Sequence, residues 1–136
     1  VTGSSQIRKR WPLNHWIALA QSLSHAGMVC ILPFGNAEEG ALAQAVCECV
    51  RGSRTLPPGP IEKIFPVLST ASGVIGVDTG ITHLGAAFGR PTVGIYTATD
   101  PERTGILAET PFRNLGGPGD IPEPSSVLNA FFSIAS

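Results

Sequence analysis

Apolar residues recur along the chain with two alternating periods. From Leu13 to His25 they fall at helical spacing, with Trp16, Leu19 and Leu23 on one stripe, Pro12 suited to the first turn and Gly27 as the stop. Met28 to Leu32 is an unbroken apolar run of strand length, and Pro33-Phe34-Gly35-Asn36 turns the chain. Ala37 to Val50 reads as a helix with Leu42, Val46 and Val50 on one face, and Ser53 to Leu56 as a short strand. Pro57-Pro58-Gly59-Pro60 breaks regular structure, and Ile61 to Ala71 is a short helix that Pro66 must kink or divide. Gly73 to Asp78 is the clearest strand, apolar on both faces and therefore buried. Thr79 to Phe88 is helical in pattern, ended by Gly89 and Pro91, and Thr92 to Tyr96 is again a strand. Residues 97–105 read as loop, Phe112 to Leu115 as an edge strand, Gly116 to Pro124 as a turn-rich linker, and Ser125 to Ala135 as a helix capped by Ser125 or Ser126. Short apolar strands alternating with helices predict an α/β domain: a Rossmann-like, mainly parallel sheet flanked by helices.

The length of 136 residues suits one domain, and 43% hydrophobic residues supply one ordinary core. A net charge of −1 gives no reason to expect nucleic acid as a partner. No apolar run approaches the roughly 18 residues that span a bilayer, and the N-terminus lacks the tripartite pattern of a signal peptide. The opening Val1-Thr2-Gly3-Ser4-Ser5 reads as the exit of a strand into a loop, so the expectation is a single domain over 1–136 that is cut at its N-terminal edge. Three cysteines make no disulfide framework; Cys30 reads as a small core residue, and Cys47 and Cys49 as incidental thiols of a reducing compartment.

In doubly wound sheets ligands bind beyond the C-terminal ends of the strands, so the residues after each strand carry the candidate chemistry. Asp78 ends a buried strand, and Thr79 and Gly80 open a helix whose free N–H groups favour an anion. Gly80 lets a phosphate approach the backbone, Thr79 and Thr82 add hydroxyls, and His83 lies near the same helix end. The bland reading is that Asp78 caps the helix and Thr82 and His83 are solvated. Ser4 and Ser5, followed by Arg8-Lys9-Arg10, suit a pyrophosphate, or form a solvated basic loop. Glu38 and Glu39 either offer a carboxylate to the paired hydroxyls of a ribose or simply sit well in a helix's first turn. Thr99 and Asp100 are sugar contacts or turn formers. No G-x-G-x-x-G follows a strand, no Walker A pattern occurs, and the three histidines make no metal set. Val77-Asp78-Thr79-Gly80 also fits the catalytic loop of an aspartic protease, but that enzyme is all-β and pairs two aspartates, against the helical pattern after Gly80.

Lys9-Arg10-Trp11-Pro12 with His15-Trp16, Leu32-Pro33-Phe34-Gly35 with Glu39, Val77 to Leu84, Arg90-Pro91, and Tyr96 with Thr99-Asp100-Pro101 together resemble the C-terminal domain of the lipopolysaccharide heptosyltransferases, nearest to the heptosyltransferase I branch. The resemblance covers nearly the whole chain. It implies the C-terminal half of a glycosyltransferase-B fold, with the catalytic base and the lipid A–Kdo acceptor on an N-terminal domain absent from this sequence. The implied reaction moves heptose from ADP-heptose to the Kdo region of the inner core, in the cytoplasm at the inner face of a Gram-negative inner membrane. No cofactor or metal is called for, and peripheral membrane association is left to the full-length enzyme. By this resemblance Ser4 and Ser5 lie near the phosphates, Lys9 binds the pyrophosphate, Glu39 the ribose, Asp78 the heptose hydroxyls, and Thr79, Gly80 and His83 the diphosphate. Two departures concern Thr97-Ala98, where the family often has Gly-Pro, and Gly59, where it often packs a larger side chain near the base. A non-catalytic nucleotide-sugar-binding module is the alternative that this fragment amounts to in isolation.

Overall fold

A computed structural model of the chain describes residues 11–35, 37–77, 85, 87–96, 112–117 and 121–134. The first helix, α1, spans Leu13–His25. Pro12 is its N-cap rather than a first-turn residue, with φ −57° and ψ 144°. The Pro12 carbonyl accepts from the His15 and Trp16 amides. Gly27, at φ +88°, ends the helix in a left-handed turn: its amide donates to Ser24 and that of Met28 to Leu23, each at 3.0 Å, so two otherwise orphaned carbonyls are satisfied. Strand β1 (Ile31–Pro33) leads to α2 (Ala37–Cys49) and β2 (Arg54–Leu56). A 3₁₀ turn (Ile61–Lys63) and α3 (Phe65–Thr70) follow, separated as Pro66 demands, since a proline fits only the opening of a helix. The chain continues with β3 (Val74–Val77), β4 (Thr92–Tyr96), β5 (Phe112–Gly116) and α4 (Pro124–Ile134).

All strand pairs among the described residues are parallel. Strand β1 pairs with β2, and β4 lies between β3 and β5. Helices α1, α2 and α4 close over one side of these strands. Their main core gathers Trp11, Trp16, Leu19, Leu32, Val46, Val93, Ile95, Val127 and Phe131. A smaller cluster of Ile64, Leu68 and Val74, with Phe88 against it, covers the other side. Neighbouring residues on β3 divide between the two: Val74 joins the small cluster and Ile75 the main one, as the period of two in a strand requires. Helices therefore flank the strands on both sides, the architecture expected from the alternating pattern, and the all-β fold of an aspartic protease is excluded.

Three expectations need correction. The strand expected over Met28 to Leu32 is shorter and shifted: only Ile31–Pro33 is extended in a ladder, and Val29 and Ile31 are 65% and 43% exposed. Pro33 belongs to the strand, not the turn. Helix α4 begins at Pro124, so Ser125 and Ser126 lie inside its first turn; Glu123 is the residue whose carbonyl accepts from the Ser126 and Val127 amides. Proline at the opening of a helix sacrifices no hydrogen bond, and it moves the start one residue back. The helix expected over 79–88 lies largely outside the described residues, although Gly85 and Ala87 are helical.

Gly73, just before β3, sits against Phe131 of α4. A Cβ there would collide with the Phe131 ring and stand 2.9 Å from the Pro91 carbonyl oxygen. That carbonyl accepts the Val74 amide at 2.8 Å, so it is fixed by the pairing of β3 and β4. Gly73→Ala is expected to destabilise the domain by about 1–3 kcal/mol, read from the midpoint of urea unfolding; an unchanged midpoint would show that the ring yields freely.

Candidate functional site

The loop after β1 is built back onto the start of α2. The Phe34 amide donates to Leu56 at 3.2 Å, which ties the end of β1 to the end of β2. The Gly35 amide donates to Glu39 Oε2 at 3.0 Å, so the carboxylate of the first turn of α2 is drawn toward the strand end. Gly40 permits this: a Cβ there would stand 2.9 Å from the Phe34 ring, which lies against the helix in the space a larger residue would fill. Glu38 and Glu39 both occupy the first turn, where the helix dipole favours negative charge. A carboxylate accepts several hydrogen bonds at once, so a Glu39 oriented by Gly35 is suited to neighbouring hydroxyls as well. Phe34 and Gly40 were not singled out from sequence as site residues; the signal available was a glycine directly after the acidic pair.

The helical segment at Gly85 and Ala87 is seated on β3. Gly85 is buried, and a Cβ on it would come within 2.7 Å of Val74 Cγ2. Its carbonyl accepts from the Arg90 amide at 3.2 Å, Gly89 turns at φ +80°, and Arg90 Nη1 reaches the Ala71 carbonyl at 3.5 Å. The C-terminal end of this segment is thereby held near the start of β3. Asp78 follows the last residue of β3 directly.

Of the sequence-predicted site residues, Glu39 is within the described structure. Ser4, Ser5, Lys9, Asp78, Thr79, Gly80 and His83 lie outside the described residues, as do Thr99 and Asp100. At Gly59 the side chain of Lys63 takes up the neighbouring space, its Cδ 3.1 Å from where a Cβ would stand. Among the described residues no group of three or more His, Cys, Asp or Glu side chains could hold a metal ion, and no helix is long and apolar enough to cross a membrane. Cys30, Cys47 and Cys49 are free thiols. Burial pushes the Cys30 and Cys47 thiols up, which keeps them protonated and poorly nucleophilic.

Comparison with known proteins gives this architecture a family. The family model described as glycosyltransferase family 9 (heptosyltransferase) matches residues 1–116. Lipopolysaccharide heptosyltransferase 1 of Escherichia coli is 38% identical over 93 residues, which cover 68% of this chain and 29% of that protein. The structure of E. coli heptosyltransferase WaaC with ADP superimposes on 100% of this chain with a TM-score of 0.87 at 28% identity, over 43% of its own length. The same enzyme with ADP-2-deoxy-2-fluoro heptose matches 98% of the chain with a TM-score of 0.79 at 30% identity, over 40% of its own length. The chain thus spans less than a third of the curated relative and less than half of each solved structure. With most of its length matched by the family model and its fold matched throughout, the chain belongs to glycosyltransferase family 9, the heptosyltransferases.

Proposed function

We propose that residues 1–136 form the donor-binding domain of a two-domain enzyme that transfers heptose from ADP-heptose to the Kdo region of the lipopolysaccharide inner core. The observation that carries this reading is the match of the entire chain to part of a heptosyltransferase solved with ADP. The Glu39 carboxylate, drawn to the end of β1 by Gly35, supports it, because that edge of a parallel sheet is where ligands bind.

In this reading Glu39 accepts from the ribose hydroxyls and Asp78 from the heptose. Ser4, Ser5, Lys9, Thr79, Gly80 and His83 bind the diphosphate. A base on the partner domain takes the proton of the acceptor hydroxyl as the bond from heptose to ADP breaks. Negative charge then grows on the departing ADP, and Lys9 with the amides at Thr79 and Gly80 stabilises it. No cofactor enters the scheme. The lipid A–Kdo acceptor is held by the other domain, and the complete enzyme works in the cytoplasm at the inner face of a Gram-negative inner membrane.

Calorimetric titration tests the assignment. ADP and ADP-heptose are expected to bind saturably, and Lys9→Ala and Asp78→Ala are each expected to weaken ADP-heptose roughly tenfold, the loss of about one charged hydrogen bond. Asp78→Ala should leave ADP itself nearly untouched. A folded chain that binds neither ligand, or that takes GDP- and UDP-sugars equally well, would count against the reading.

A further inference from the structure

We propose that Lys63 selects the nucleobase of the donor: its methylene stem lies along the face of the base, in a place that Gly59 leaves open. The proposal rests on the donor-site reading above and adds to it the residue that favours a purine. The order of the strands places the base. Met28–Pro33 and Gly73–Ile75 face each other across a cavity, so β1 is the strand on the β3 side and β2 lies beyond it. The hydrogen bond from the Phe34 amide to the Leu56 carbonyl holds the ends of β1 and β2 together. Glu39 is drawn to the end of β1, and Thr79 and Gly80 come soon after β3 in the chain. In ADP the ribose stands between the base and the diphosphate. A ribose at Glu39, with its diphosphate toward residues 79–80, therefore sends its base outward, over the end of β2 and the segment Pro57–Lys63 that leaves it.

That segment is stiff and open. Pro57, Pro58 and Pro60 each fix their own φ. The Lys63 amide donates to the Pro60 carbonyl at 3.0 Å and closes the 3₁₀ turn. Residues 57–60 are all exposed. The Lys63 side chain does not reach straight out into solvent from this turn. Its Cδ, Nζ and Cε stand 3.1, 3.4 and 3.5 Å from where a Cβ of residue 59 would be, so the stem folds back over Gly59. A side chain at position 59 would have to push it aside. No hydrogen bond or ion pair to a described residue holds the ammonium there.

A lysine stem laid over a glycine offers an apolar strip with a cation at its tip. Both parts suit the flat face of a base: the methylenes pack on the ring, and the ammonium is attracted to its π-electrons. Such a contact is graded by area, so a two-ring purine gains more from it than a one-ring pyrimidine. The ammonium carries donors and no acceptor, so Lys63 cannot accept from the amino group of adenine. Its selectivity is for the size of the base.

The chain has two lysines, Lys9 and Lys63, so protein labelled with ¹³C-lysine shows both side chains by NMR, and Lys63→Met assigns them. Saturation with ADP is expected to move the δ and ε methylene protons of Lys63 upfield, through the ring current of the adenine above them. By calorimetry Lys63→Ala is expected to weaken ADP about tenfold, and Lys63→Met, which keeps an unbranched stem, by about threefold at most. UDP, with its smaller face, should lose about threefold at most from Lys63→Ala. The urea midpoints of both variants should match the wild type, because Lys63 is exposed. ADP that binds without moving the Lys63 signals would overturn the proposal and leave the donor-site reading standing. So would a Lys63→Ala variant that loses ADP and UDP equally, which would put the ammonium on the diphosphate. A folded chain that binds no ADP would overturn both.

Discussion

Trp11→Ala is expected to lower the unfolding free energy by about 3–5 kcal/mol, a large part of the 5–15 kcal/mol typical of a domain. Trp11 is 1% exposed, and its indole Nε1 donates to the Pro122 carbonyl at 2.8 Å. Its ring meets that of Trp16 edge-on at 4.8 Å and 86°, and that of His15 at 5.2 Å and 68°. Alanine removes the burial, both edge-to-face contacts and the only donor that this carbonyl has among the described residues. Trp11→Phe separates the terms: it keeps much of the apolar volume and loses the hydrogen bond, for about 1–3 kcal/mol. Guanidinium unfolding followed by far-UV circular dichroism measures both. A loss below about 1 kcal/mol for the alanine variant would mean that the front of α1 is not anchored as described.

Glu39→Ala is expected to weaken ADP binding about 30–100-fold while costing at most about 1 kcal/mol of stability. The two effects separate because Glu39 acts differently in the fold and toward ligand. In the unliganded fold it contributes a first-turn charge and accepts from the exposed Gly35 amide. Toward ADP, under the proposed function, it supplies charged acceptors for the ribose, and without it the Gly35 loop loses its orientation as well. Glu39→Gln keeps an oxygen for the Gly35 amide and should fall between wild type and alanine. Calorimetry on folded protein decides the matter; equal loss of stability and affinity would make the residue structural.

The periods of the apolar pattern revealed most of the architecture because they report which face of an element is buried. Trp16, Leu19 and Leu23 are buried on α1, and Thr92–Tyr96 is the central strand between β3 and β5. The strand expected over Met28 to Leu32 is instead Ile31–Pro33, because an apolar run marks strand propensity and not which of its residues find a ladder partner. Ser125 and Ser126 do not cap α4, because capping preferences are local and Pro124 competes for the same helix start. The tie from Trp11 to Pro122 was illegible, since no local pattern links positions 111 apart. In the site, Glu39 was legible from its place after a strand and from the family resemblance. The service of Gly40 to Phe34 was not, since it depends on how closely a loop folds back.

That tie also has a consequence for how the chain acquires its structure during synthesis. At 5–20 residues per second, Pro122 is polymerised on the order of ten seconds after Trp11. Throughout that interval the front of α1 holds a large aromatic ring that no later segment has yet covered. Helix α4, which packs against α1 and β4, arrives in the same final stretch. The main core can therefore close only when translation of this region is almost finished, and the nascent domain is dependent on late closure rather than stepwise growth from its N-terminus.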